Sequence, residues 1–504
     1  MTTTSPRPAA GPPPDVPAPG EPTASGPTPA GPAPSGPTPA GPTASVLLEA
    51  LHRVLPADRI VIDPDVLQSL STDEAEWAPA GVPALAVRAR TEAEVAGVVR
   101  TAADLRVPLV PRGAGTGLSG GANAVDGGIV LDLSRMTAVR DIDPENLTCT
   151  VEPGVVNNDL KAAVAAQGLW YPPDPASAPW STIGGNTATN AGGLCCLKYG
   201  VTRDYVLGLR AVVGGPAGYG TVARLGRRTA KGVAGDDLAG LMVGSEGTLG
   251  VITEVTLRLR PALTGVPRTV VGAFGRLVEA GRAVALVTRL GLAPSALELL
   301  DRTCLTAVQE WKHLGIEADA AVLLLARVDT PGDAGETEAA ALAEAFDRAG
   351  ALWAERSTDD VEAEALFDAR RLAYPALERL GPVLTEDICV PRSRLPDMLG
   401  AIERIGREQR VRIATIAHAG DGNLHPLMLA EPGDDDARRR AQQAFEEMID
   451  TAIGFGGTVT AEHGVGLLKR RGLVAELDPA SLTLQRAIKD TLDPLHLFNP
   501  GKVF

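Results

Sequence analysis

The glycine-rich run at residues 112–128, RGAGTGLSGGANAVDGG, limits the possible folds of this chain more than any other segment. Gly115, Gly117 and Gly120 match G-x-G-x-x-G after an apolar strand, the formal fingerprint of a Rossmann dinucleotide site. That fold needs a helix beginning within the glycines, yet the next strand starts by Ile129 and leaves no room for one. The run is therefore predicted to be a loop whose backbone N–H groups bind an anion, above all a pyrophosphate. A merely flexible glycine loop is the alternative.

Three regions of different composition follow one another along the chain. Residues 1–45 repeat variants of SGPTPAGP with almost no large apolar side chain, so this tail is predicted to be disordered. Residues 46–262 contain a predicted β-α-β unit ahead of the glycine-rich run and end in a long alternating strand that begins at Val251. Residues 263–504 mix Ala/Leu/Glu-rich helices with strands and finish in a helical run before the FNPGK turn. The expected fold class is α+β, with two folded domains.

Composition excludes several classes of protein. The 47 basic and 62 acidic residues give a net charge of −15 without any basic block, which argues against a nucleic-acid partner. The sequence contains no run of about 18 apolar residues, so no transmembrane segment is predicted, and no signal peptide is visible. The five cysteines are scattered and include no C-x-x-C, which argues against an iron–sulfur cluster on this chain. We therefore expect a protein of the reducing cytoplasm.

Two histidines flank a turn in the segment IATIAHAGDGNLHPLMLAEP, residues 413–432. Asp421-Gly422 is typical of a two-residue type I′ turn, which would place His418 directly opposite His425 on one face of a hairpin. Farther along, VTAEHGVG supplies Glu462. Two imidazoles and one carboxylate suit a catalytic Zn²⁺, and also Fe(II) or Mn(II), although such histidines are more often only hydrogen-bonded.

Four separated segments resemble the FAD-linked oxidase family, the flavoproteins of the vanillyl-alcohol oxidase type. They are PLVPRGAGTGLSGGA, YPPDPASAPWSTIGGNTATNAGG, KYGVTRDYVLGL and VGSEGTLGVITE, in the family's order, and the likeness spans roughly residues 50–504. The resemblance implies a two-subdomain FAD-binding domain of the p-cresol methylhydroxylase (PCMH) type at residues 46–262. It also implies an α+β substrate, or cap, domain at residues 263–504 with a C-terminal helical segment.

The same resemblance implies which residues hold FAD. Backbone amides of the first segment would bind the pyrophosphate, and the other segments would flank the ribityl chain and the flavin ring. No histidine lies between residues 53 and 312, and the cysteines lie outside the pyrophosphate loop, so the flavin is expected to be non-covalent. The implied cofactor-binding residues are Arg112, Gly113, Ala114, Gly115, Thr116, Gly117, Ser119, Gly120, Pro173, Asp174, Ser177, Gly184, Gly185, Asn190, Gly192, Gly193, Glu246, Gly250 and Ile252.

HAGDGNLHP and EHGVG together resemble the metal site of flavin-dependent D-2-hydroxyacid dehydrogenases. The resemblance implies a divalent metal, most simply zinc, with His418, His425 and Glu462 as its ligands. A metal there would lower the pKa of the substrate hydroxyl. His463 would then act as general base.

The resemblance also implies an arginine for the substrate carboxylate, which the alignment places at Arg370 rather than Arg371, with a surface ion pair as the alternative. Asn423 is expected to reach the substrate through its amide. Relatives acting on D-2-hydroxyglutarate have a lysine where this chain has Thr385, so a small 2-hydroxy acid such as D-lactate or glycolate is favoured.

Three other functions stay open at this point. They are D-2-hydroxyglutarate oxidation, a non-redox flavoenzyme of the ether-lipid synthase type, and a non-catalytic flavin-binding subunit. For an oxidising enzyme the electron acceptor would be a quinone, a cytochrome, an electron-transfer flavoprotein, a separate iron–sulfur subunit or oxygen. The expected location is the cytoplasm, with peripheral attachment to a membrane only through that acceptor.

Overall fold

The computed structural model describes residues 44–313, 320–357, 360–431 and 433–504, without the side chains of residues 360–366 and 369. The predicted disordered tail at residues 1–45 lies outside the described residues except for its last two. Those two, Ala44 and Ser45, already belong to the first helix.

The N-terminal region contains eight α-helices and eleven strands among its described residues. The helices are α1 (Ala44–His52), α2 (Pro64–Ser71), α3 (Glu92–Leu105), α4 (Asn157–Ala165), α5 (Ile183–Thr189), α6 (Cys196–Tyr199), α7 (Thr202–Tyr205) and α8 (Leu238–Met242). The strands are β1 (Ile60–Val61), β2 (Leu85–Arg88), β3 (Leu109–Arg112), β4 (Ile129–Asp132), β5 (Val139–Asp143), β6 (Thr148–Val151), β7 (Leu169–Trp170), β8 (Val206–Val213), β9 (Thr221–Gly226), β10 (Val251–Arg258) and β11 (Arg260–Pro261).

The predicted β-α-β unit consists of β2, α3 and β3. It belongs to a four-stranded sheet in the order β1-β2-β4-β3, in which β4 lies between β2 and β3 and runs parallel to both. The chain passes from β3 to β4 through residues 113–128 without a helix, as expected from the short spacing. The glycine-rich run is therefore a loop that follows the carboxyl end of β3.

A second sheet of five antiparallel strands, in the order β5-β6-β10-β8-β9, completes the N-terminal region together with the β7–β11 pair. Its central strand β10 begins at Val251, as predicted. Helix α5 lies beside this sheet. It begins after Thr182, whose side chain accepts a hydrogen bond from Gly185 N and so caps the helix.

The C-terminal region forms an eight-stranded sheet with helices on both faces. The strands are β12 (Arg268–Phe274), β13 (Ala296–Asp301), β14 (Val322–Val328), β15 (Trp353–Arg356), β16 (Val383–Thr385), β17 (Ile388–Cys389), β18 (Arg412–His418) and β19 (Asn423–Leu429). The helices are α9 (Leu277–Arg289), α10 (Arg302–Lys312), α11 (Gly332–Arg348), α12 (Asp360–Glu378), α13 (Leu395–Gln409), α14 (Asp435–Gly454), α15 (Arg470–Glu476) and α16 (Pro479–Leu492). Strands pair in the order β15-β12-β14-β13-β18-β19-β16, and β17 also pairs with β19.

Side chains alternate strictly across this sheet, as the period of two in a strand requires. Leu297 and Leu299 of β13 pack toward α9, α11, α13 and α14, whereas Leu300 packs toward α10 and α12. Glu298 shares the second face, and so do His418 of β18 and His425 of β19. These three polar side chains therefore lie on the face of the sheet that packs against α10 and α12.

The predicted register of the β18–β19 hairpin was wrong. His418 pairs with Asn423, and His425 pairs with Ile416, so a four-residue loop replaces the two-residue turn. A type I′ turn needs positive φ at both central residues, and Gly422 has it (φ 87°) whereas Asp421 does not. Gly420 N donates to Leu297 O at 3.0 Å, which ties the loop to β13 and lengthens it. The two imidazoles are diagonal neighbours on one face rather than a directly opposed pair.

The fold is α+β, with an N-terminal part of two sheets, an eight-stranded C-terminal sheet and a C-terminal helical segment formed by α14, α15 and α16. None of the helices that the structure describes combines the length and the hydropathy needed to cross a bilayer.

Candidate active site

A cavity of about 770 Å³ lies where the glycine-rich loop, α5, α12 and the β18–β19 hairpin meet. Residues from both regions of the chain line it. The predicted site residues on its walls are Arg112, Gly113, Ala114, Gly115, Thr116, Gly117, Ser119, Asp174, Ser177, Gly184, Gly185, Gly192, Glu246, Gly250, Ile252, Arg370, His418, His425, Glu462 and His463. Five predicted residues are described but do not line it: Gly120, Pro173, Asn190, Gly193 and Asn423.

Of the residues away from the walls, Asn190 and Gly193 shape the local backbone. Asn190 ends α5 in the left-handed conformation (φ 57°), and its Oδ1 accepts a hydrogen bond from Arg203 N at 2.9 Å. Gly193 lies so close to Asp174 that a Cβ there would collide with the Asp174 carbonyl oxygen. Asn423 is buried opposite His418, and its Oδ1 finds no hydrogen-bond partner among the described residues.

The glycine-rich loop is shaped around a buried arginine. Gly115 adopts φ 79°, and a Cβ there would overlap the Arg112 guanidinium. Arg112 Nη1 is buried without a hydrogen-bond partner among the described residues, and so is Asn186 Nδ2 on α5. Both residues line the cavity. Unpaired buried donors beside a run of backbone amides fit an anionic group such as a pyrophosphate.

Glu246 and Ser119 join the N-terminal region to the turn that contains Glu462. Glu246 accepts hydrogen bonds from Val465 N at 2.7 Å and Gly466 N at 2.8 Å, and burial raises the pKa of its carboxyl to about 7. Ser119 Oγ donates to Gly464 O at 2.8 Å. Side-chain to backbone hydrogen bonds therefore connect the 462–466 turn to the glycine-rich loop, through Ser119, and to Glu246.

The two imidazoles and the Glu462 carboxylate converge. His418 Nε2 lies 3.2 Å from Glu462 Oε1, and His425 Nε2 lies 3.3 Å from the same oxygen. Ligand atoms on a tetrahedral metal at roughly 2.0–2.1 Å would lie about 3.3–3.4 Å apart, so these two nitrogen–oxygen distances are compatible with a shared divalent metal ion. Burial favours the neutral imidazole, but the charges of Glu298 and Glu462 outweigh it and raise the pKa of His418 well above its usual value.

Glu298 links a predicted ligand to the predicted substrate arginine. Its Oε1 lies 2.8 Å from His418 Nδ1, and its Oε2 accepts a hydrogen bond from Arg370 Nε at 2.8 Å. Glu298 and Arg370 are both buried. The ion pair with Arg370 is thus an internal contact at the cavity wall, not a surface pair.

A second grouping of possible ligands overlaps the first. Asp387, His425, Glu462 and His463 offer one ligand atom each, all within 4.8 Å of one another, and this group does not include His418. Asp387 Oδ2, however, already accepts hydrogen bonds from Ala461 N, Glu462 N and His463 N at 2.8–3.0 Å. Asp387 therefore shapes the turn through Oδ2, whereas its Oδ1 is buried without a hydrogen-bond partner among the described residues and remains available as a ligand atom.

Burial in this turn keeps His463 neutral. Burial lowers the pKa of His463 to about 4. Burial opposes the Asp387 charge as well, yet interactions with the His463 ring, Lys469 and the His425 ring hold the pKa of Asp387 at about 2. The His463 ring stacks on His425 with centroids 4.9 Å apart, and its Nε2 lies 4.0 Å from Glu462 Oε1. A neutral imidazole beside the ligand cluster can accept a proton.

Sequence reasoning missed Glu298 and Asp387. Each left a visible signal, an acidic residue within an apolar strand in ALELLD and one directly before an apolar strand in TEDICVP. A charge at such a position needs a buried partner. The sequence could not say which partner, because the residues that meet are 72 to 120 positions apart.

Two family models match the chain in succession. Residues 83–219 match the FAD binding domain, and residues 266–503 match the C-terminal domain of FAD linked oxidases. The chain belongs to the FAD-linked oxidase family and is an FAD-binding oxidoreductase, as the four sequence segments indicated.

Curated relatives extend over most of the chain. Glycolate oxidase subunit GlcD of Bacillus subtilis is 40% identical over 424 residues, which cover 84% of this chain and 89% of that protein. D-lactate dehydrogenase of Anaerostipes hadrus is 31% identical over 477 residues, covering 91% and 97%. The crystal structure of p-cresol methylhydroxylase with substrate bound shares the fold, with a TM-score of 0.76 at 18% identity over 91% of this chain and 96% of that one.

Proposed function

We propose that this protein oxidises a small D-2-hydroxy acid, with D-lactate or glycolate favoured, to the corresponding 2-keto acid. The observation that supports this most directly is the convergence of His418 Nε2 and His425 Nε2 on Glu462 Oε1 in the cavity that the flavin loops line. The names of the relatives, a glycolate oxidase subunit and a D-lactate dehydrogenase, point the same way.

The residues for two bound groups are present. The glycine-rich loop with Arg112 would hold the FAD pyrophosphate, and His418, His425 and Glu462 would hold a divalent metal, with zinc favoured over manganese or iron. Bound FAD would supply the two-electron acceptor, and the metal would supply a Lewis acid that lowers the pKa of the substrate hydroxyl.

The protein's own side chains would then move one proton and hold one anion. His463, neutral because burial lowers its pKa, would accept the hydroxyl proton at Nε2, the ring nitrogen nearest Glu462. The negative charge of Asp387 would stabilise the imidazolium so formed. Arg370 would bind the substrate carboxylate from the cavity wall.

One residue of the cavity wall bears on the choice of substrate. Thr385 lines the cavity where relatives acting on hydroxyglutarate have a lysine, which supports a substrate with one carboxylate.

Since relatives from Bacillus subtilis and Escherichia coli are named as oxidase subunits, a separate acceptor-bearing chain is a natural destination for the electrons. A quinone, a cytochrome or an electron-transfer flavoprotein would serve the same need.

The test is an anaerobic screen of the purified FAD-containing protein with D-lactate, L-lactate, glycolate and D-2-hydroxyglutarate. We expect D-lactate or glycolate to bleach the oxidised flavin, and His463→Ala to abolish that bleaching while FAD stays bound. If none of these acids reduces the flavin, the protein is not a hydroxy-acid dehydrogenase, and a non-redox or non-catalytic flavoprotein becomes the better description. Loss of FAD from His463→Ala would mean that His463 supports the cofactor instead.

A further inference from the structure

We propose that Glu298 is a positioning residue that sets metal affinity and substrate-carboxylate affinity together. This inference rests on the proposed function, because it assigns a role to a residue behind the proposed metal ligand and the proposed substrate arginine. Glu298 lies in the middle of β13 and is completely buried. A carboxylate at such a position is costly unless both of its oxygens are engaged.

Each oxygen of Glu298 holds a different functional side chain. Oε1 lies 2.8 Å from His418 Nδ1, and Oε2 accepts from Arg370 Nε at 2.8 Å. With a metal bound at Nε2, the remaining proton of His418 would lie on Nδ1 and be donated to this carboxylate, which is the tautomer that a metal ligand needs. The contact with Arg370 fixes the guanidinium by its Nε at the cavity wall.

The backbone makes this arrangement rigid. β13 pairs with β18 through Leu299–Ala417 and Leu300–Ile416, directly beside Glu298 and His418. Gly420 N donates to Leu297 O, which holds the hairpin loop against the same strand. The carboxylate therefore cannot follow one partner without leaving the other.

Chemistry distinguishes Glu298 from a residue that merely fills space. The imidazole N–H and the guanidinium N–H are both donors, so two acceptor oxygens are required at this point. A glutamine has nearly the same shape but offers one acceptor and one NH₂, which would repel one of the two donors. Glu298→Gln should therefore weaken both sites at once.

The experiment measures two binding constants on the purified FAD-containing protein. Zn²⁺ affinity is determined by competition with a chromogenic chelator, and the metal-free protein is titrated with oxalate, which cannot donate a hydride, through its perturbation of the flavin spectrum. Glu298→Gln should weaken Zn²⁺ binding roughly 10- to 100-fold, the usual effect of losing a carboxylate behind a ligand histidine, and should weaken oxalate binding in parallel. FAD content should be unchanged.

Glu338→Gln is the matched control. Glu338 also accepts hydrogen bonds at both oxygens, from Ala293 N and Thr330 Oγ1, but does not line the cavity. It should leave both constants unchanged. If Glu298→Gln does not fold, Glu298→Asp retains the charge and shortens the reach, and it should weaken both constants in the same direction.

Other outcomes separate this inference from the proposed function. Zn²⁺ and oxalate constants within twofold of wild type in the folded Glu298 variant overturn the positioning role, and so does the loss of only one of the two. Failure of the wild-type protein itself to bind Zn²⁺ stoichiometrically would instead contradict the metal site, and with it this inference.

Discussion

Asp387 Oδ2 accepts a hydrogen bond from His463 N at 2.8 Å, and the same oxygen also accepts from the two preceding backbone amides. Thr460 Oγ1 donates to it as well, at 2.6 Å. One carboxylate oxygen thus defines the path of the turn that presents Glu462 and His463 to the cavity.

Asp387→Asn should slow flavin reduction by the preferred hydroxy acid by roughly tenfold to a hundredfold. Charge-assisted hydrogen bonds contribute about 1.5–3 kcal/mol, and an amide replaces the charged acceptor of the turn with a weaker one. Anaerobic rapid-mixing kinetics measure the rate, with FAD content expected to be unchanged. Asp450→Asn, which breaks only an exposed ion pair with Arg471, is the control and should react like wild type. Equal rates of flavin reduction in wild type, Asp387→Asn and Asp450→Asn would show that Asp387 does not contribute to the site.

Gly115→Ala should weaken FAD binding more than tenfold. The new Cβ would overlap the Arg112 guanidinium, and Gly115 has φ 79°. Gly127→Ala is a close control because Gly127 has φ 67° in the same loop with nothing within 4 Å of the added atom. Both variants meet the same backbone strain, so only the collision separates them. Fluorescence titration of each apoprotein with FAD measures the difference in affinity. Equal losses of FAD affinity in the two variants would argue against an anion site at Gly115.

Glu246 should make stability depend on pH. Burial raises the pKa of its carboxyl from 4.5 to about 7, so the folded state holds a proton that the unfolded state releases between these values. Its contribution is fully present below pH 4.5 and falls as the pH rises to about 7, by about 3 kcal/mol at 1.36 kcal/mol per unit. Glu246→Gln removes the titration, so its thermal midpoint should rise relative to wild type between pH 5 and about pH 7.5. A constant difference between the two proteins over that range would contradict the buried, proton-binding state of Glu246.

Thr385→Lys should move substrate preference toward D-2-hydroxyglutarate. Thr385 is buried on the cavity wall, where an ammonium group could pair with a second carboxylate. One charge-assisted hydrogen bond of about 1.5–3 kcal/mol corresponds to a change in the kcat/KM ratio of roughly 10- to 150-fold. Thr385→Met adds similar length without charge and should not produce this change. A ratio that is the same for the Lys and Met variants would show that Thr385 does not select the substrate.

The sequence predicted those parts of the fold and site that depend on neighbouring residues. The spacing from Gly120 to Ile129 excluded a helix, and the alternation from Val251 marked a strand, because each depends on local geometry. His418, His425 and Glu462 were predicted to meet, and Nε2 of each imidazole lies 3.2–3.3 Å from Glu462 Oε1, whereas their role as metal ligands stays a prediction.

Features that depend on distant packing were not predicted. The hairpin register depends on the hydrogen bond from Gly420 to Leu297, which the dipeptide Asp421-Gly422 cannot reveal. Glu298 and Asp387 were missed for the same reason, since their partners come from other strands and turns. The sequence showed that each was an unusual charge in or directly beside an apolar strand, and only the fold showed which groups that charge contacts.

The most direct test of a metal-assisted flavin site is the anaerobic reduction of the FAD-containing protein by its preferred hydroxy acid before and after metal removal. After dialysis against a chelator, with FAD content verified, we predict that the flavin stays oxidised on mixing. Adding one equivalent of Zn²⁺ or Mn²⁺ should restore bleaching in the wild-type protein but not in His425→Ala. Undiminished bleaching of the metal-free protein would contradict the assignment of His418, His425 and Glu462 as ligands.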